Sequence, residues 1–272
     1  MQAREPAGQA PSPVLRERLD ARGVLYLLID RESRRNALGA AVLDALAAAL
    51  ARHAGDAAVR VLVLRGAGTR CFAAGGDLKE LAAVRSAADA SAMSRRARAV
   101  LDAVRDFPLP TLAALNGDAL GGGAELAMAC DLRVAVPRAR LGFIQGQLAL
   151  ATAWGGGIDL MQRLGPGAAL RLLAQAQPLG SDAALRHGLL DAVAQADAPA
   201  ALDAAVETCI APFLDPPVQV LRAHKALAAA LRRGADRTEL AAIETAHFAG
   251  TWAHDDHWAA VAARSAAREA AR

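Results

Sequence analysis

Aromatic residues are scarce in this sequence: three Trp, five Phe and one Tyr make up 3% of its 272 residues. Ala, Leu and Val must therefore fill any core, a composition that favours closely packed helices. Cysteine is equally sparse. Cys71, Cys130 and Cys209 form no CxxC pair and no even-numbered set, which excludes a disulfide framework and points to a reducing compartment. No apolar run reaches spanning length, and the stretch from Met1 to Pro13 has no apolar h-region, so neither a membrane anchor nor a secretory signal is expected. A cytoplasmic location follows as the expectation. The net charge of +3 is spread along the chain rather than gathered into a basic run with interleaved aromatics, which argues against nucleic-acid binding. Scattered arginines instead suit capture of an anionic small molecule, such as a coenzyme phosphate.

Hydrophobic residues reach 54% and charged residues 22%, enough for one large domain with a small appendage. Residues 1–20 read as a Pro/Gln/Ala tail with a charged end, poorly ordered unless docked. Strand-like apolar runs begin at Val24 and recur at 61–64, 111–115 and 132–136, separated by helical or glycine-rich segments. Strands alternating with helices predict an α/β architecture with largely parallel pairing over 21–205. Beyond Gly165 the strand signal fades. Ser181, as an N-cap, and prolines 199, 212, 216 and 217 punctuate a series of Ala/Leu helices, which leaves 206–272 as a helical C-terminal region. No internal sequence repeat is evident.

Two glycine turns carry the chemistry. Cys71-Phe-Ala-Ala-Gly-Gly-Asp-Leu-Lys-Glu-Leu81 follows one strand, with Asp77 suited to cap the next helix. Asn116-Gly-Asp-Ala-Leu-Gly-Gly-Gly-Ala-Glu-Leu126 follows another and also opens a helix. Glycines at such turns permit strained φ angles and close approach of a ligand, and a helix start leaves N–H groups unpaired at the positive end of the dipole. Two such turns face to face make a two-donor oxyanion hole, each donor being worth roughly 3 kcal/mol in the transition state. No Lys-Ser/Thr follows the glycines, no GxGxxG has its acidic partner, and no GxSxG elbow occurs, so phosphate-cradle, dinucleotide and serine-hydrolase readings fail.

These two segments resemble the glycine motifs of the crotonase (enoyl-CoA hydratase/isomerase) superfamily. Arg34 to Leu38 is similar to the family's coenzyme-side segment, Trp154-Gly155-Gly156 to its third glycine turn, and Gly188 to Val193 to its Gly-Leu-(Val)-Asp-x-Val signature. The resemblance covers about residues 22–195 and implies a ββα spiral core. It implies that the N–H groups of Gly76 and Gly122 polarise a thioester carbonyl, and that Glu125 acts as general base. It assigns Arg34, Ala37, Ala74, Asp77, Leu78 and Trp154 to substrate and coenzyme binding. Coenzyme A then enters as part of an acyl-CoA substrate, with no separate cofactor and no metal. A homotrimer or homohexamer is implied, its C-terminal helices completing the assembly. Closer similarity is to ethylmalonyl-CoA decarboxylase-like members and to bacterial hydratase/isomerase paralogues.

One departure affects the reaction. Hydratases of the family commonly carry a second glutamate about twenty residues after the first, and here Gln145 stands in that position. An amide orients groups by hydrogen bonding but delivers no proton near neutral pH. Single-base isomerisation, decarboxylation of an alkylmalonyl thioester and thioester hydrolysis stay open beside hydration, as does a non-catalytic acyl-CoA-binding role. The His254-Asp255-Asp256-His257 cluster lacks a third His or Cys ligand and reads as a helix start with Trp258 packed inward.

Overall fold

A computed structural model describes residues 13–270. Its first half contains β1 (Leu15–Leu19), β2 (Val24–Ile29), α1 (Ala40–His53), β3 (Val61–Gly66), β4 (Cys71–Ala73), α2 (Leu78–Leu81) and α3 (Ala87–Arg105). Then come β5 (Thr111–Leu115), β6 (Asp118–Leu120), α4 (Gly122–Ala129), β7 (Leu132–Ala135), β8 (Arg140–Gly142), a 3-10 turn at Gln145–Leu148, α5 (Gly156–Leu164) and α6 (Pro166–Gln175). The last part holds β9 (Leu179–Gly180), α7 (Ser181–Arg186), β10 (Ala192–Val193), α8 (Pro199–Ile210), α9 (Val218–Arg232), α10 (Arg237–Trp252) and α11 (Asp255–Ala270).

β3 and β5 are apolar nearly throughout because both of their faces are covered, as parallel strands require. They lie inside a six-stranded sheet ordered β1-β2-β3-β5-β7-β10, in which only β1 runs antiparallel. A second, four-stranded sheet has the order β4-β6-β8-β9. The chain visits the two sheets in turn: β3 then β4, β5 then β6, β7 then β8, each pair followed by helix. Successive ββα units therefore stack as a spiral, adding one parallel strand to each sheet per turn. The strands of the smaller sheet were not legible as strands, because two or three residues are too few to show alternation.

Buried asparagines tie the corners of the spiral. Asn116 accepts from Gly66 N–H and donates to the carbonyls of Gly68 and Cys71. Asn36, fully buried at φ 54°, accepts from Arg31 N–H and donates to Ala67 and Cys71.

Several expectations need correcting. Residues 15–19, assigned to a tail, pair along their whole length with β2, because Leu15 reaches the core and the main chain completes a sheet edge. Residues 1–12 of that tail lie outside the described residues. A boundary at 205/206 falls inside α8, whose Leu202, Val206 and Ile210 pack onto β5, β7 and β10 and so belong to the core. Ser181 is the first helical residue rather than the cap; its hydroxyl instead donates to Pro137 O at 2.6 Å. Trp258 is not packed inward. It is 51% exposed and meets Trp252 edge-on, on a ridge that includes exposed Phe248.

Candidate active site

Parallel pairing of β4 with β6 sets Cys71 opposite Asp118 and Ala73 opposite Ala119, so the turns that follow the two strands emerge side by side. Gly75 turns at φ 104° and Gly121 at φ 53°, ψ −121°, conformations open to glycine and costly for other residues. The turns also nearly touch. A methyl group on Gly75 would lie 3.1 Å from Leu120 O and 3.5 Å from Gly122 N. Gly76 and Gly122 abut the same indole edge, that of Trp154: a methyl on Gly76 would sit 3.5 Å from its Cη2, and one on Gly122 would overlap the ring. Among the described residues neither the Gly76 nor the Gly122 N–H is used within the protein, and Gly122 opens α4. Two amides without a partner among the described residues thus lie beside one aromatic wall, that of Gly122 at a helix start.

Glu125 projects from the first turn of α4 and is 2% exposed. Its Oε2 accepts from Trp154 N–H and Gly156 N–H, both at 2.9 Å, and its Oε1 accepts from Gln145 Nε2 at 2.9 Å. Gly156 begins α5, so a second helix N-terminus meets the carboxylate. A side chain at Gly156 would collide with Glu125, lying 2.5 Å from its Cγ. Burial pushes the Glu125 carboxyl above the ordinary glutamate range, and the bonds from Gly156, Trp154 and Gln145 restrain that rise. Among the described residues no cation bonds it directly. The Gln145 carbonyl is buried beside it without a partner among the described residues, because its amide must turn the NH2 group toward the carboxylate.

A cavity of about 240 Å³ runs from Trp154 between α1, α2 and α3, walled by Leu38, Leu43, Leu81, Val84 and Met93. Of the other residues assigned to binding only Asp77 lines it; Arg34, Ala37, Ala74 and Leu78 are not among its walls. Leu38 N–H donates to Gly75 O and Ala74 N–H to Arg35 O, which joins the segment carrying Arg34 and Ala37 to the first glycine turn. Arg34 and Leu78 are exposed. Asp77 caps α2 through Lys79 N–H and pairs with Arg31 at 2.9 Å, which holds its carboxyl lowered despite burial. Its side chain thus fixes the turn. Sequence reasoning missed Arg31, as it missed Asn116 as a corner tie, because their partners lie up to 50 residues away.

Other groups fall away from this chemistry. Burial pushes the Cys130 thiol up to about 12, as suits a core residue. A larger cavity of about 560 Å³, near the C-terminal end of α4, has charged walls whose Asp131, Asp159 and Arg232 are paired with one another or with neighbours. Among the described residues no helix is long and apolar enough to cross a membrane.

The profile of the enoyl-CoA hydratase/isomerase family matches residues 20–264. A probable enoyl-CoA hydratase of Bacillus subtilis is 36% identical over 163 residues, 60% of this chain and 63% of that protein. The mitochondrial enoyl-CoA hydratase domain-containing protein 2 of Bos taurus is 41% identical over 174 residues, 64% of this chain and 58% of that protein. The match therefore spans somewhat under two thirds of the length of these curated relatives. The crystal structure of an enoyl-CoA hydratase from Bacillus anthracis superposes with a TM-score of 0.85 at 27% identity, covering 93% of this chain and 96% of the other.

Proposed function

The chain belongs to the enoyl-CoA hydratase/isomerase family, and from that premise we propose that it acts on an acyl-CoA thioester through an enolate held by the Gly76 and Gly122 amides, with Glu125 as the proton-transfer group. The observation that carries this reading is the buried Glu125 carboxylate beside two free amide donors. Polarising the thioester carbonyl acidifies the carbon next to it and also accepts charge when water adds one carbon further on. A base whose pKa is raised toward neutrality is matched to such a proton transfer.

Gln145 supports one reaction over another. It orients Glu125 and supplies no proton, so a single carboxylate must both remove and return the proton. That favours shifting a double bond along an enoyl-CoA over two-carboxylate hydration. Coenzyme A is read as part of the substrate, met by Arg34, Ala37, Ala74 and Leu78 on the segment joined to the first glycine turn. The exposed ridge of Phe248, Trp252 and Trp258 supports packing of the C-terminal helices against further copies of the chain, as a trimer or hexamer.

The test is incubation of the protein with 2-enoyl-, 3-enoyl-, malonyl- and ethylmalonyl-CoA, with products read by mass spectrometry. Interconversion of the 2- and 3-enoyl esters is the expected result. Carbon dioxide release from ethylmalonyl-CoA alone would replace it with a decarboxylase. Saturable binding of the esters without turnover would make this a binding paralogue.

A further inference from the structure

The peptide that joins Ala153 to Trp154 is held at both ends. Its N–H donates to Glu125 Oε2 at 2.9 Å. Its carbonyl oxygen accepts from Ser94 Oγ at 2.8 Å and from Arg98 Nη2 and Nε at 2.9 and 3.3 Å. Ser94 and Arg98 are four residues apart on α3 and so share one helix face. Arg105, seven residues on, belongs to the same stripe and donates to the next carbonyl, Trp154 O, at 3.2 Å. One face of α3 thus holds consecutive carbonyls of the turn whose N–H groups bind Glu125.

We propose that Ser94 and Arg98 are positioning residues for Glu125, acting through the Ala153–Trp154 peptide. This rests on the reading of Glu125 as the proton-transfer group. A peptide unit is planar and trans, so fixing the direction of its carbonyl fixes the opposed direction of its N–H. A guanidinium and a hydroxyl on the oxygen also polarise the unit and strengthen the hydrogen bond its N–H donates. The carboxylate is thereby favoured by a cation that never touches it, while its Oε1 edge stays turned toward Gln145 rather than locked in an ion pair.

The surrounding charges leave this effect legible. Glu125 is the only ionisable residue of α4, and Gln145 is neutral. From α5, Asp159 is neutralised by Arg105 and by Arg232 of α9. From α3, Asp102 is paired with Arg105. Asp77, on the cavity side, is taken up by Arg31, and Glu80 there bonds Ala40 N–H. Arg98 forms no ion pair among the described residues, so its cation is directed to the Ala153 carbonyl.

The test compares the unmodified protein with Ser94→Ala, Arg98→Leu, the double variant, and Arg98→Lys. Infrared titration with 13C-labelled glutamate, using Glu125→Gln to isolate the band, reads the protonation midpoint of Glu125 without any turnover. Loss of both donors is expected to raise that midpoint by about half a pH unit, since each link of such a chain strengthens its neighbour by a fraction of its own energy. Arg98→Lys is expected to retain most of the unmodified midpoint. Where the enzyme turns over, the acid limb of its pH–rate profile moves upward by the same amount, lowering the rate about threefold on that limb. An unmoved or lowered midpoint in the double variant, or in both single variants should the double not fold, overturns the proposal. Absence of turnover on every thioester would instead sink the functional reading and leave the infrared result standing.

Discussion

Replacing Glu125 by glutamine is expected to stabilise the protein while abolishing its chemistry. In the substituted site one amide oxygen still accepts from Trp154 N–H and Gly156 N–H. The new NH2 group then points at Gln145, whose amide can turn so that its orphaned carbonyl accepts the bond. A buried charge disappears, while the turned Gln145 leaves its NH2 group in the unpartnered place that its carbonyl held, so that count of unpaired groups does not change. Against this stands the loss of the charge-assisted bonds to the carboxylate, so a net gain of about 1 kcal/mol at pH 8 is expected. At about 2–4 °C per kcal/mol for a domain near this size, the melting temperature rises by about 2–4 °C. The pH dependence gives the sharper check. Because burial raises the folded-state pKa of Glu125, the folded state binds more protons than the unfolded state between the ordinary glutamate value and the raised one. Stability of the unmodified protein from this group is therefore present at low pH and lost as pH rises through that window. The glutamine variant lacks this loss, so its advantage grows with pH above about 4.3 and then levels. Chemical denaturation from pH 4 to 9 measures the gap between the two proteins. A gap that narrows or reverses as pH rises would mean that the three hydrogen bonds outweigh burial, and the reasoning about Glu125 would fail. In the same variant, turnover is expected to fall by about two to four orders of magnitude if Glu125 moves the proton.

Other outcomes follow from the same geometry. Gly122→Pro removes a candidate oxyanion donor, and turnover is expected to fall at least about a hundredfold in a folded protein, as steady-state kinetics would read. Gln145→Glu places a second carboxylate at hydrogen-bond distance from the first, so one of the pair is expected to take up a proton and the acid limb of the pH–rate profile to move upward. Hydration of a short 2-enoyl-CoA is expected to rise in the same protein, and an unchanged hydration rate would show that a missing acid does not limit it. Asn116→Ala strips hydrogen bonds from the buried Gly66 N–H and Cys71 carbonyl, and a loss of about 2–4 kcal/mol in denaturant unfolding is expected.

Much of the protein follows from local sequence. The runs at 24–29, 61–64 and 111–115 are apolar without alternation, as strands covered on both faces are, and each makes at least one parallel pair in the larger sheet. The glycines of the two turns, with Asp77 and Glu125 just beyond them, announce helix starts with free N–H groups, because φ preference and capping are properties of a few adjacent residues. Tertiary structure alone decided the rest. The spiral repeats ββα units without repeating sequence, since backbone pairing in the second sheet takes only two or three residues and uses the main chain whatever the side chains. That pairing is what brings Gly76 and Gly122 to one indole edge. Gln145 marks a departure in the sequence, but only the fold shows it donating to Glu125 and leaving its own carbonyl unpartnered. Ser94 and Arg98 look like ordinary polar positions on a helix until the Ala153 carbonyl, more than 50 residues away, comes to rest on them. The physical reason is common to all of these: a side-chain hydrogen bond depends on which distant backbone group arrives within 3 Å, and neither composition nor periodicity encodes that arrival.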